Sequence, residues 1–157
     1  MLKEFLRNWS PRADASYQQR QAGAIPYSVV DGQVVFLLVT ARQSGRWIFP
    51  KGALSKSRAP WETAAREARE EAGVSGEVAR EPIGSYRTSG GEEQRSLTEV
   101  VMFPLRVTEQ HDEWPEMAER HRHWVILAEA RRLLAYRRLV ALAEALSRQV
   151  LTPGQGR

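Results

Sequence analysis

No cysteine occurs in the chain. That excludes a disulfide framework and any thiolate metal centre, and leaves oxygen and nitrogen donors for whatever ion the protein handles. Missing too is any apolar run long enough to cross a bilayer, so no membrane partner is expected and the expected location is the cytoplasm. Acidic residues are the minority charge. Nineteen Asp and Glu stand against 23 Lys and Arg, a formal net charge of +4 with a sequence pI of about 9.8, which favours anionic partners. Internal repeats and long linkers are also absent. What remains is a chain of 157 residues with 42% hydrophobic side chains, the size and composition of one ordinary domain able to bury a core.

The ends read differently from the middle. Leu2, Phe5, Leu6 and Trp9 recur at helical spacing, which gives an amphipathic extension over 1–16. It is too short and too charged for a signal peptide and is expected to pack on the domain or on a sister subunit. The oligomeric state is otherwise open, with a homodimer among the arrangements allowed. Residues 152–157 read as a flexible tail, leaving 17–151 as the domain. Within it, 22–30 and 33–41 are expected strands joined at Asp31-Gly32, a strong hairpin signal. Trp47-Ile48-Phe49 is a short strand that runs into a turn at Pro50-Lys51-Gly52. A helix is expected from Pro60, at home in the first helical position, to Ala72. A weaker strand region covers 77–88, interrupted by Pro82, and ends at the turn-like Ser89-Gly90-Gly91. Further strands are expected over 97–107 and 123–127. From Ala128 the chain reads as helix, with Leu139, Leu142, Leu146 and Val150 spaced for burial.

The most informative stretch is Arg66-Glu67-Ala68-Arg69-Glu70-Glu71-Ala72-Gly73-Val74. Glu67, Glu70 and Glu71 stand at i, i+3 and i+4, surface neighbours on a helix. Carboxylates that close repel, and a divalent cation gives the arrangement a reason: Mg²⁺ takes one or two carboxylates while substrate phosphates complete its shell. The plainer reading is a solvated acidic face, with Arg66 spaced to pair with both Glu62 and Glu70. At about 100° per residue, Trp61, Ala65, Ala68 and Ala72 form an apolar stripe opposite the glutamates. The preceding loop holds Lys51, Lys56 and Arg58. Carboxylates facing cations across a loop–helix corner suit a metal-bridged ligand that carries phosphates.

This constellation resembles the Nudix hydrolases, whose box is a glycine, five residues, a glutamate, seven residues, then Arg-Glu-apolar-x-Glu-Glu-x-Gly-apolar. Read backward from Arg66, the first glycine is Gly52, and Gly73-Val74 close the box. The departure is Arg58, where the family has a glutamate that braces the loop by pairing with the box arginine; Glu62 is the expected replacement for that brace. The resemblance covers about residues 20–150 and implies an α/β fold, a mixed β-sheet in an α/β/α sandwich. It implies Mg²⁺ as cofactor, with Mn²⁺ as a substitute. It also implies metal ligation by Glu67 and Glu71 together with a backbone carbonyl of Lys51 or Gly52, and Glu70 as general base toward a water attacking in line.

Glu113-Trp114-Pro115-Glu116-Met117 followed by Arg120-His121-Arg122-His123-Trp124 resembles the diphosphoinositol polyphosphate phosphohydrolase branch. That likeness implies a polyphosphorylated small-molecule substrate, a diphosphoinositol polyphosphate or a diadenosine polyphosphate. The implied phosphate contacts are Arg20, Arg42, Arg122 and Arg138, with Lys51, Lys56 and Arg58 from the box loop. Gln18 and Gln19 stand where the branch often has lysines. Arg46, Arg87 and Arg95 are placed near the site by loop position alone. His121 and His123 read as rim residues, and Trp114 and Trp124 as packing anchors. Two alternatives stay open: an RNA 5′-pyrophosphohydrolase, for which no stacking track is evident, and a non-catalytic Nudix-fold binding or regulatory domain. A site built on so many basic contacts should lose affinity for a polyphosphate as salt rises. Titrating diadenosine hexaphosphate at low and high NaCl is expected to show a markedly higher Kd at high salt, and a salt-independent Kd would remove the arginines from the contact set.

Overall fold

The structure, a computed structural model, describes residues 17–89 and 97–152. The 1–16 extension, the Gly90-Gly91 turn, Arg95 and the tail from Pro153 lie outside the described residues. In chain order the elements are β1 (Tyr17–Val30), β2 (Gln33–Thr40), β3 (Trp47–Ile48), β4 (Lys51–Ala53), α1 (Pro60–Ala72), β5 (Val74–Val78), β6 (Gly84–Ser89), β7 (Leu97–Gln110), β8 (Arg122–Ile126), α2 (Leu127–Leu133) and α3 (Arg137–Leu151).

All eight strands join one mixed sheet with the central order β3-β2-β1-β7-β5. The long strands β1 and β7 run parallel along their shared length, and each divides its outer edge between two shorter partners. On β1, β4 pairs with residues 21–23 and β2 with residues 27–30. On β7, β6 takes 97–102 and β5 takes 105–110. The β1–β2 hairpin turns at Asp31 and Gly32, whose φ angles of 50° and 78° are the left-handed pair that a two-residue hairpin loop requires.

Successive strand residues point to opposite faces, and here both faces are apolar. Leu38, Val100 and Met102 face a core shared with Phe36, Phe49 and the α3 residues Leu139, Leu142 and Leu146. Leu37, Val39, Val101, Phe103 and Leu105 face the other way, against Ala64, Ala68 and Ala72 of α1. One helical layer therefore covers each side, an α/β/α sandwich as expected. The alanines on α1 let that helix lie close to the sheet, and burial of each large core side chain contributes roughly 1.5–3 kcal/mol. No helix among the described residues is long and apolar enough to cross a membrane.

The elements differ from the sequence reading at three places. Lys51-Gly52-Ala53 is a strand rather than a turn, because β2 leaves residues 21–23 of β1 unpaired and β4 fills that edge. The weak region 77–88 is two strands, β5 and β6, with Pro82 between them. The C-terminal helix is broken at 134–136, where Ala135 N–H donates to the Trp47 carbonyl at 2.9 Å and Leu134 bridges to Trp47. Ala68, with 0% exposure, tests the close approach of α1. Ala68→Leu should destabilise the protein by about 1–3 kcal/mol through overpacking, read as a lower urea midpoint, and an unchanged midpoint would mean the layers are less tightly packed than described.

Candidate active site

Helix α1 carries the site, and both of its ends are fixed by identifiable contacts. Its N-cap, Ala59, has no side-chain oxygen to offer, so the Glu62 carboxylate reaches back and accepts the Ala59 N–H at 2.9 Å. Glu62 is thereby committed to capping and does not brace Arg66, contrary to the sequence reading. Arg66 instead donates through Nε to Glu70 Oε1 at 3.0 Å. At the other end Gly73 takes φ 67°, the left-handed cap that favours glycine. A Cβ on it would meet Arg122 Nη1 and the Trp114 ring.

Glu71 is where the structure departs most from the expected polar face. It stands three residues after Ala68 and seven after Ala64, which places it on the packing stripe, and it is only 3% exposed. Its Oε1 has no hydrogen-bond partner; the nearest cation is Arg120 Nη2 at 3.7 Å. Burial pushes the Glu71 carboxyl up to about 9; Arg120 opposes that rise, while a hydrogen bond shared with Glu67 and the charges of Glu67 and Glu116 add to it. Glu67 is raised as well, mainly by burial, with the hydrogen bond from Glu71 working against it.

The carboxylates of Glu67, Glu70 and Glu116 converge, with oxygens within 4.8 Å of one another. Glu116 lies in residues 111–121, the connection from β7 to β8, which docks on the C-terminal turn of α1. Glu116 N–H donates to the Glu70 carbonyl at 3.1 Å and His111 N–H to the Gly73 carbonyl at 2.8 Å. Trp114 Nε1 donates to the Glu71 carbonyl at 3.1 Å. These bonds satisfy carbonyls that a helix end leaves without intrahelical partners. In the sequence, Glu116 and Arg120 carry no motif that ties them to the box helix. Their i, i+4 spacing was the available signal, and Arg120 Nε does donate to Glu116 Oε1 at 2.8 Å.

Gly52, on β4, faces Glu67 so closely that a Cβ would collide with the Glu67 carboxyl group. A side chain at this position would push the Glu67 carboxyl from where it stands. Beside it, Lys51 Nζ donates to Gln21 Oε1 at 2.9 Å. Burial lowers the Lys51 pKa, while the negative charges of Glu71 and Glu67 partly restore it.

The remaining basic candidates separate. Lys56 and Arg58 lie in the loop between β4 and α1, and neither makes an ion pair among the described residues. Arg20 pairs with Glu99 at 3.6 Å, and Arg42, exposed, with Glu119 at 3.8 Å. Arg138 donates to the Ser85 carbonyl on β6 at 3.0 Å. Arg122, expected to face phosphate, is directed elsewhere. Its Nη1 donates to the carbonyls of Ala72 at 3.0 Å and His111 at 2.9 Å, and its guanidinium lies 3.7 Å from the centre of the Trp114 ring. The helix C-terminus is an attractive place for a cation, and that attraction claims this arginine.

A turn of helix bearing carboxylates, a glycine strand pressed on it and a loop carboxylate folded over it make up the cluster, and its residues could hold a divalent cation. The donor set fits such an ion: hard oxygen ligands, one of them buried without a hydrogen-bond partner. The family model described as NUDIX domain matches residues 18–146, and the chain belongs to the Nudix family. Nudix hydrolase 4 of Arabidopsis thaliana is 34% identical over 128 residues, 76% of this chain and 61% of that protein. Diphosphoinositol polyphosphate phosphohydrolase 3-alpha of Mus musculus is 31% identical over 102 residues, 64% of this chain and 59% of that protein. The chain thus spans about three fifths of the length of these curated relatives. Among solved structures, the NUDIX domain of Shewanella oneidensis NrtR complexed with ADP ribose superposes with a TM-score of 0.64 at 21% identity, covering 92% of this chain and 97% of that one. That likeness is one of fold.

The raised Glu71 carboxyl has a thermodynamic consequence. It keeps its proton to about 9 when folded but loses it around the ordinary 4.5 when unfolded, so the folded state binds the extra proton. Its contribution to stability is fully present below the unfolded value and is lost as pH rises toward 9. In EDTA, the Tm of the wild type should therefore fall relative to that of Glu71→Gln as pH increases through this window. Parallel Tm profiles would show that Glu71 is ionised in the metal-free fold.

Proposed function

We propose that the protein is a Mg²⁺-dependent hydrolase of phosphoanhydride bonds in polyphosphorylated small molecules. The observation that carries this reading is the convergence of the Glu67, Glu70 and Glu116 carboxylates within 4.8 Å beside the buried Glu71 oxygen that lacks a hydrogen-bond partner. Glu67, Glu71 and Glu116 are the side chains assigned to hold the ion, with the backbone carbonyl of Lys51 or Gly52 as a further donor. Mg²⁺, or Mn²⁺ in its place, would supply neutralisation of the phosphate oxygens.

The rest of the chemistry belongs to the chain. Glu70 takes the proton of the attacking water. Its side chain is about one-third exposed, so solvent reaches it, and Arg66 fixes its orientation. Lys56 and Arg58, uncommitted in the box loop, stabilise negative charge on the phosphates, with Lys51 closer to the carboxylates. Arg42 acts on the rim, where exchange of its carboxylate partner for phosphate is a small step for an exposed pair, and Arg20 acts from a largely buried position beside Glu99. Arg122 and Arg138 are left out of the contact set, because their hydrogen bonds hold carbonyls of α1 and β6.

For the substrate, the likeness to the Mus musculus diphosphoinositol polyphosphate phosphohydrolase and the net charge of +4 favour a densely phosphorylated small molecule. The test is phosphate release with Mg²⁺ from diphosphoinositol pentakisphosphate, diadenosine hexaphosphate, ADP-ribose and a triphosphate-ended RNA. Turnover is expected for one of the first two. Glu70→Gln should lower kcat by about 10²–10⁴, the range for removing a general acid or base, and leave binding intact. Turnover of RNA alone would reassign the substrate, and a Glu70→Gln protein at wild-type rate would reassign the base.

A further inference from the structure

Glu116 reaches the carboxylate cluster from outside α1, and its backbone anchor, the N–H bond to the Glu70 carbonyl, does not fix its side chain. Left to electrostatics, that side chain would swing to solvent, away from Glu67 and Glu70, since nearby like charges repel. One residue opposes this. Arg120 is only 9% exposed, and its guanidinium is divided three ways. Nε donates to Glu116 Oε1 at 2.8 Å, Nη1 donates to the Thr40 carbonyl at the end of β2 at 2.9 Å, and Nη2 lies 3.7 Å from Glu71 Oε1.

The neighbouring residue reinforces the anchor on β2. His121 N–H donates to Thr40 Oγ1 at 2.9 Å, and Thr40 N–H donates to the His121 carbonyl at 3.0 Å. The planar fork of a guanidinium can hold carboxylate and carbonyl in one fixed geometry, which a lysine cannot. We propose that Arg120 is a positioning residue, which uses β2 as its fixed point to hold the Glu116 carboxylate in place as the loop-borne arm of the metal site. The proposal rests on the reading that this cluster binds a divalent cation.

The charge of Arg120 and its geometry act in opposite directions on a bound cation, and this makes the idea testable. Removing a positive charge beside a cation site would by itself tighten cation binding. Removing the clamp on a ligand weakens it, typically by about 10–100-fold for partners that orient a ligand.

Mn²⁺ affinity, measured by the loss of the free-ion EPR signal, should therefore be at least about tenfold weaker in Arg120→Gln than in wild type. Glu116→Gln should be weakened as well, and the double variant should be no weaker than Glu116→Gln alone, because Arg120 acts through Glu116. Arg120→Lys, which keeps the charge without the fork, should stay weak, and it stands in for Arg120→Gln should that variant fail to fold. Unchanged or tighter Mn²⁺ binding in Arg120→Gln, additive losses in the double variant, or full rescue by lysine would each overturn the proposal. A wild-type protein that binds no Mn²⁺ would overturn the cation reading itself, an outcome distinct from all of these.

Discussion

Repulsion between carboxylates is the constraint around which the site is arranged. Glu67, Glu70, Glu71 and Glu116 are gathered where one helical turn meets one loop, and without compensation that assembly would drive the loop off the helix. The compensation comes in three forms. Arg66 takes Glu70 on the exposed side, Arg120 takes Glu116 and faces Glu71 on the buried side, and burial raises the carboxyl groups of Glu71 and Glu67 toward their neutral forms. Arg66 and Arg120 thus offset part of this repulsion from within the chain.

The C-terminal turn of α1 does two jobs at once. Its carbonyls at Glu70, Glu71, Ala72 and Gly73 receive Glu116, Trp114, Arg122 and His111 respectively, so the hydrogen bonds that finish the helix are the ones that seat the loop. Gly73 makes this possible, since a side chain there would occupy the space filled by Arg122 and Trp114. The closing glycine of the sequence motif is therefore a docking requirement as well as a helix stop.

Much of this was legible in the chain. The hairpin at Asp31-Gly32, the helix from Pro60 to Ala72 and the Arg66–Glu70 pair follow from local rules and appear in the structure. What was not legible depends on contacts distant in sequence. Pro50-Lys51-Gly52 reads as a turn, and the strand Lys51–Ala53 is missed, because nothing local announces that β1 has a vacant edge there. The helix break at 134–136 has no glycine or proline to signal it and is set by pairing to Trp47, some ninety residues earlier. Nothing local to Arg122 in its basic segment announces that its guanidinium meets the end of α1 and bonds the Ala72 carbonyl. Glu116 and Arg120 lay in plain view in that same segment, but only the fold shows that they meet the box helix.

The glycine-locked contact between β4 and α1 separates what can vary from what cannot. With no side chain at Gly52, strand and helix touch through the Glu67 carboxyl, and a side chain on the strand would have to push that carboxyl aside. The loop at 54–59 and the turn at 41–46, by contrast, present Lys56, Arg58 and Arg42 on surfaces that the core does not constrain. Changes in those loops would alter the charge around the carboxylate cluster while leaving the contact between β4 and α1 in place. Surface charge and the carboxylate cluster are thus separable parts of one small domain.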